Sequence, residues 1–172
     1  GEIYLLGIFR NITERKEAEA LLKDSEERLK ILFESAPDAH YLNDLKGTFL
    51  DGNKAAEKLT GYKRDELIGK SFLTLKLLSP AQIPKAAALL ARNLIGLPTG
   101  PDEFIMSKKD GTQVSVEIST HPVKIKGQTM VLGLARDITE RKKGEEKLRE
   151  SEERFRLAIN ATKEGIWEWD IQ

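Results

Sequence analysis

Shifted by 126 positions, this chain overlays on itself without a gap, Gly1 to Asp44 falling on Gly127 to Asp170. Ile12-Thr13-Glu14-Arg15-Lys16 returns as Ile138-Thr139-Glu140-Arg141-Lys142, and Ser25-Glu26-Glu27-Arg28 returns as Ser151-Glu152-Glu153-Arg154. A period of this length belongs to a domain, not to a solenoid unit of about 20–50 residues. It predicts the tail of one module, a whole second module and the head of a third. The boundaries fall at 1–13 for an upstream C-terminal strand, 14–36 for a linker helix and 37–139 for the complete domain. A second linker helix at 140–158 and the start of a downstream module at 159–172 follow.

Both linkers read as charged helices. Glu19 and Lys23, Asp24 and Arg28, and Glu26 and Lys30 are (i, i+4) pairs in the favourable order. Ala18, Leu22, Ser25, Leu29, Leu32 and Ala36 recur at alternating spacings of four and three, an a/d seam weakened by its small and polar members. Gly144, Leu148, Ser151, Phe155 and Ala158 hold the same places in the second copy. So few heptads leave two readings open: pairing with a second copy, or packing on the helix's own domain. Thr13 and Thr139 read as N-caps.

Pro37 ends the first helix. Ala39 to Asn43 and Thr48 to Leu50 read as strands around a turn at Asp44 to Gly47. Asn53 should cap a short helix to Leu59, closed by Gly61-Tyr62, with another helical turn over Arg64 to Ile68. Ser79-Pro80-Ala81-Gln82 carries a helix-start signature, complicated by Pro84. Ile83, Ala87, Leu90 and Leu94 then give one apolar face up to Gly96. Glu103 to Ser107 and Gln113 to Thr120 flank Asp110-Gly111, a hairpin signal, and Lys126-Gly127 turns the chain into a last strand, Thr129 to Arg136. Strands, short helices and a final antiparallel meander predict an α+β domain.

Lys plus Arg and Asp plus Glu each total 28, so no general attraction to nucleic acid or anionic membrane is expected. The absence of cysteine excludes disulfides, thiolate catalysis and thiol-linked chromophores. No apolar run approaches the roughly 18 residues of a membrane span. A cytoplasmic location is expected, with any anchor elsewhere in a longer parent. No nucleophile–base pair, metal-spaced cluster or phosphate-binding loop appears, so this stretch should catalyse nothing.

The segment Asn53-x-Ala55-Ala56-x5-Gly61-Tyr62-x3-Glu66-Leu67-x-Gly69 resembles the early signature of the PAS family. Lys109-Asp110-Gly111-Thr112, Gly127, Gly133 and Asp137-Ile138-Thr139-Glu140-Arg141-Lys142 resemble its C-terminal (PAC) motif. The resemblance implies a five-stranded antiparallel sheet with short helices on one face, flanked by coiled-coil-type linker helices. It implies a sensory and relay module of a two-component phosphorelay protein, with a sensor histidine kinase as output. A diguanylate cyclase is the alternative output, and a ligand-free dimerisation module the alternative role. Implied partners are a second copy through the linker helices, adjacent modules, a C-terminal output domain and a small molecule.

Asp137, Ile138 and Thr139 are the implied signal-coupling residues, joining the last strand to the following helix. Asn11 stands where the family usually has Asp. Candidate pocket residues are Tyr41, Phe49, Leu90, Leu94, Phe104, Val116, Ile118, Leu132 and Leu134; the simpler role for all of them is core packing. Ala18, Leu22, Leu29, Leu32, Leu148 and Phe155 form the candidate dimer seam. The cofactor stays unassigned. Haem-binding relatives use a histidine on the long helix before the meander, and Pro80 to Gly96 has none. Cysteinyl-flavin chemistry needs the missing thiol, while a non-covalent flavin or small organic ligand stays open. His40 reads as a packed strand residue, His121 as a solvated strand end, and Trp167 and Trp169 as core residues of the downstream module.

Overall fold

A computed structural model of the chain describes residue 3 and residues 11–162. Most of the upstream-strand segment, Trp167 and Trp169 lie outside the described residues.

The chain runs α1 (Thr13–Ser35), β1 (Ala39–Asn43), β2 (Phe49–Gly52), α2 (Lys54–Thr60), α3 (Arg64–Leu67), α4 (Ile83–Leu94), β3 (Thr99–Ser107), β4 (Gln113–Ile125), β5 (Gln128–Asp137) and α5 (Thr139–Thr162). All strand pairs are antiparallel, in the spatial order β2-β1-β5-β4-β3. This is the α+β fold with a five-stranded sheet that the sequence implied.

The inward face follows from alternation along each strand. Ala39, Tyr41 and Asn43 of β1 share one side, with Val114, Val116 and Ile118 of β4. Phe104 and Met106 of β3 complete the sheet's share of the core. Against it pack Ala56 and Leu59 of α2, Leu67 of α3, Leu77, and Ala86 and Leu89 of α4.

Asn53 organises one corner of the domain. Its Oδ1 accepts from the Ala56 and His40 backbone N–H groups, and its Nδ2 donates to the Phe33 and Asp38 carbonyls. One buried side chain thereby caps α2 and ties the end of α1 to β1. Gly61 closes α2 in the left-handed conformation, φ 77°. The Arg64 guanidinium adds ion pairs to Glu34 of α1 and Asp51 of β2.

Several expected details are corrected. Thr13 and Thr139 do not cap their helices with their own side chains. Asn11 Oδ1 accepts from Thr13 N at 3.0 Å, and Asp137 Oδ1 accepts from Thr139 N at 2.8 Å. The two repeat copies therefore make the same bond with an amide and a carboxylate. Strand β3 starts at Thr99 rather than Glu103, because Thr99 already pairs with Thr120 of β4, and β4 runs on to Ile125, because paired β4–β5 backbone extends past the hydrophobic alternation. Pro80–Gln82 form a separate 3-10 turn, with Pro84 in the first turn of α4 where a missing N–H is tolerated. Helix α4 turns Ala86, Leu89, Leu90 and Asn93 toward the sheet, and leaves Ala87 and Leu94 exposed.

Helix α1 has no buried residue, and Leu22, Leu29 and Leu32 are exposed along it. Leu148 and Phe155 of α5 are likewise exposed. Among the described residues no helix is long and apolar enough to cross a membrane.

Candidate functional site

Between the sheet and the helices lies an interior cavity of about 120 Å³. Its walls are mainly apolar: Ala39, Phe49, Leu59, Leu77, Leu89 and Phe104 are representative. Of the sequence candidates, Tyr41, Phe49, Leu90, Phe104 and Ile118 line it. Val116 is fully buried in the adjoining core and does not reach the cavity.

Leu94, Leu132 and Leu134 are corrections. Leu94 is exposed because α4 presents Leu90 and Asn93 instead. On β5 the inward phase belongs to Val131, Gly133 and Ala135, which places Leu132 and Leu134 on the opposite face. Size sets this choice. Gly133 lies directly across from Tyr41, and the Tyr41 ring occupies the space a Cβ at Gly133 would need. Only the small-residue phase leaves room for the aromatic ring.

Polar residues in this wall escaped the sequence reading, which sought apolar ones. Tyr41, Gly133, Thr120 and Thr99 form one row across β1, β5, β4 and β3. From α4 above, the Asn93 amide donates to Thr120 Oγ1 at 2.8 Å, and the Thr99 and Thr120 hydroxyls are 2.7 Å apart. Asn93 and Thr99 are buried, and all three residues line the cavity. Asn43 does so too, on the same face of β1 as Tyr41. Alternation could have found Asn43 and Thr120, since they keep phase with Tyr41 and Ile118. Burial pushes the Tyr41 phenol well above its ordinary pKa, so it stays a neutral hydroxyl.

The junction with α5 is built from the sheet. Ile138 is buried, its N–H donates to Ser115 O at 2.9 Å, and Thr139 Oγ1 accepts from Ser115 N at 3.1 Å. Arg141 pairs with Glu103 and Glu117, and Lys142 pairs with Glu103. Its hydrogen bond from Lys142 holds Glu103 below the usual carboxylate range. The first turn of α5 is thus fastened to both β3 and β4. Just before this junction, Arg136 of β5 grips Asp38 ahead of β1, and that hydrogen bond lowers the Asp38 pKa.

His40 is half-buried, with Nδ1 3.0 Å from Asp38 O and its ring edge-on to Phe33; it does not line the cavity. Among the described residues no cluster of His, Asp or Glu could hold a metal ion.

The family described as "PAS domain" matches residues 37–140. Sporulation kinase E of Bacillus subtilis is 25% identical over 169 residues, covering 98% of this chain and 22% of that protein. Sensor protein FixL of Bradyrhizobium diazoefficiens is 27% identical over 156 residues, covering 86% of this chain and 30% of that protein. The chain thus spans less than a third of either relative. Among solved structures, a domain of a sensory box sensor histidine kinase/response regulator from Geobacter sulfurreducens superposes with TM-score 0.55 at 34% identity, covering 67% of this chain and 96% of that one. The PAS domain of an HTR-like protein from Haloarcula marismortui gives TM-score 0.60 at 25% identity, covering 72% and 99%.

Proposed function

Because the chain belongs to the PAS domain family, we propose that residues 37–139 are the sensory module of a larger signalling protein with a histidine kinase output. In this reading the interior cavity receives a small molecule and the sheet transmits its occupancy to α5. The observation that carries it is the direct wiring from cavity to helix. Ile118 lines the cavity on β4, the strand whose Ser115 holds Ile138 and Thr139 by backbone and side-chain hydrogen bonds. A ligand would act by favouring one pose of that joint over another, through a difference in its affinity for the two. The kinase output rests on the sensor-kinase relatives.

The test fills the cavity without a ligand. Ala86 lines it from α4, and Ala86→Leu places extra volume there. Amide hydrogen exchange at Ile138 to Lys142 should change, while exchange in the Lys108–Gly111 turn stays as it was. Unchanged exchange at the α5 root, in a folded variant, would refute the relay.

A second reading, dimerisation through the helices, is favoured by one observation: Leu22, Leu29, Leu32, Leu148 and Phe155 are exposed in positions an a/d seam would bury. Sedimentation of the chain against a Leu22→Glu, Leu29→Glu variant separates the roles. A monomeric native chain overturns pairing of the isolated chain.

A further inference from the structure

One buried atom in the cavity wall is left without a partner. Asn43 is 6% exposed, and its Oδ1 has no hydrogen bond. Its Nδ2 donates to Asp44 O at 3.2 Å, which identifies the other end of the amide as the oxygen. Buried side-chain acceptors are nearly always paired, so an orphan in a cavity wall calls for a partner that enters the cavity. Two residues earlier on the same face, Tyr41 also lines the cavity.

Charge narrows the class further. Among the lining residues there is no Lys, Arg or His, and the single carboxylate, Asp51, is already paired with Arg64. A charged ligand would lose its hydration there without gaining a counter-ion, a cost far larger than one hydrogen bond returns. About 120 Å³ accommodates roughly five to seven non-hydrogen atoms, and most of the wall offers them only apolar contact.

We propose that the cavity takes a small uncharged molecule with an apolar body and a hydroxyl or N–H group that donates to Asn43 Oδ1. The proposal rests on the cavity being the sensory site, and it adds the chemistry of the ligand. Asn93, Thr99 and Thr120 largely satisfy one another and shape the wall.

Phenol, toluene and the N-methylpyridinium cation, alike in size, serve as probes. Each is titrated into the whole chain, with affinity read by calorimetry. Phenol should bind about three- to tenfold more tightly than toluene, the range one neutral hydrogen bond supplies, and N-methylpyridinium should not bind. Asn43→Leu should bring phenol down to the affinity of toluene. Equal binding of phenol and toluene by the native chain overturns the donor requirement and leaves the cavity as a binding site. N-methylpyridinium binding as tightly as phenol overturns the neutral class. Failure of all three removes the sensory cavity and this proposal with it. The native-chain comparison stands even if the variant does not fold.

Discussion

Placing a single methyl group at Gly133 tests how the cavity is walled. A Cβ there would fall inside contact distance of the Tyr41 ring carbons and 2.5 Å from its hydroxyl. Ordinary carbon contacts lie near 3.5–4.0 Å, so the ring end must retreat by about 1 Å or more. Gly133 does not have a positive φ, so alanine fits the backbone and the conflict lies wholly with the side chain. Overpacking of this kind costs about 1–3 kcal/mol. The stiffer unfolded chain returns about 0.4–1 kcal/mol. Gly133→Ala should therefore lose about 0–2.6 kcal/mol, at the lower end if the ring swings into the cavity. Tyr41→Leu removes every atom in the way. In that background Gly133→Ala should be neutral or slightly stabilising, giving a coupling of about 1–3 kcal/mol. Urea unfolding of the four proteins, followed by tryptophan-independent circular dichroism, measures the cycle. An equal cost of Gly133→Ala in both backgrounds would refute the account of why β5 turns its small residues inward.

Three further outcomes follow from other contacts. Asn53→Ala removes a helix cap and four hydrogen bonds from a buried corner, and should destabilise by about 2–4 kcal/mol in urea. Asn53→Asp should recover part of that, since a carboxylate keeps the two accepted bonds and loses the two donated ones. Thr139→Val leaves the Ser115 N–H without its acceptor; a loss of about 1 kcal/mol and faster amide exchange in the first turn of α5 are expected, and unchanged exchange would speak against Thr139 as an anchor. The Arg136 pair makes Asp38 more acidic than its ordinary 3.8. A lowered carboxyl pKa stabilises above the unfolded value and is lost as pH falls through the folded one. Arg136→Gln should therefore lower the urea midpoint at pH 7 and leave it unchanged well below pH 3.8; a difference that persists in acid would exclude the ion pair as its cause.

The local elements were legible because their signals are local. The Asn53 cap, the Gly61 stop, the Asp110-Gly111 turn and the full span of β1 follow from propensity, capping and alternation over a few residues. The strand-to-helix junction was legible for the same reason, since Asp137-Ile138-Thr139 sits where the last strand must give way to α5. Five of the nine pocket candidates line the cavity; Val116 is buried in the adjoining core, Leu94 lies on the exposed side of α4, and Leu132 and Leu134 face the other way on β5. Choosing Leu132 and Leu134 assumes that the larger apolar residues of a strand face inward. On β5 the reverse holds, because the inward space is already filled by Tyr41 from the neighbouring strand.

The sequence by itself determined the α+β class and the order and approximate bounds of the elements, two charged helices among them. Each of these depends on residues close together in the chain. The tertiary structure alone decided which face of β5 and of α4 looks inward, how Asn53 gathers groups from α1, β1 and α2, and that Asn43 keeps an unpaired oxygen beside a cavity. Those features depend on volumes and hydrogen-bond partners brought together from as far apart as Asp38 and Arg136. No local pattern records which of two possible faces a neighbouring strand has already filled.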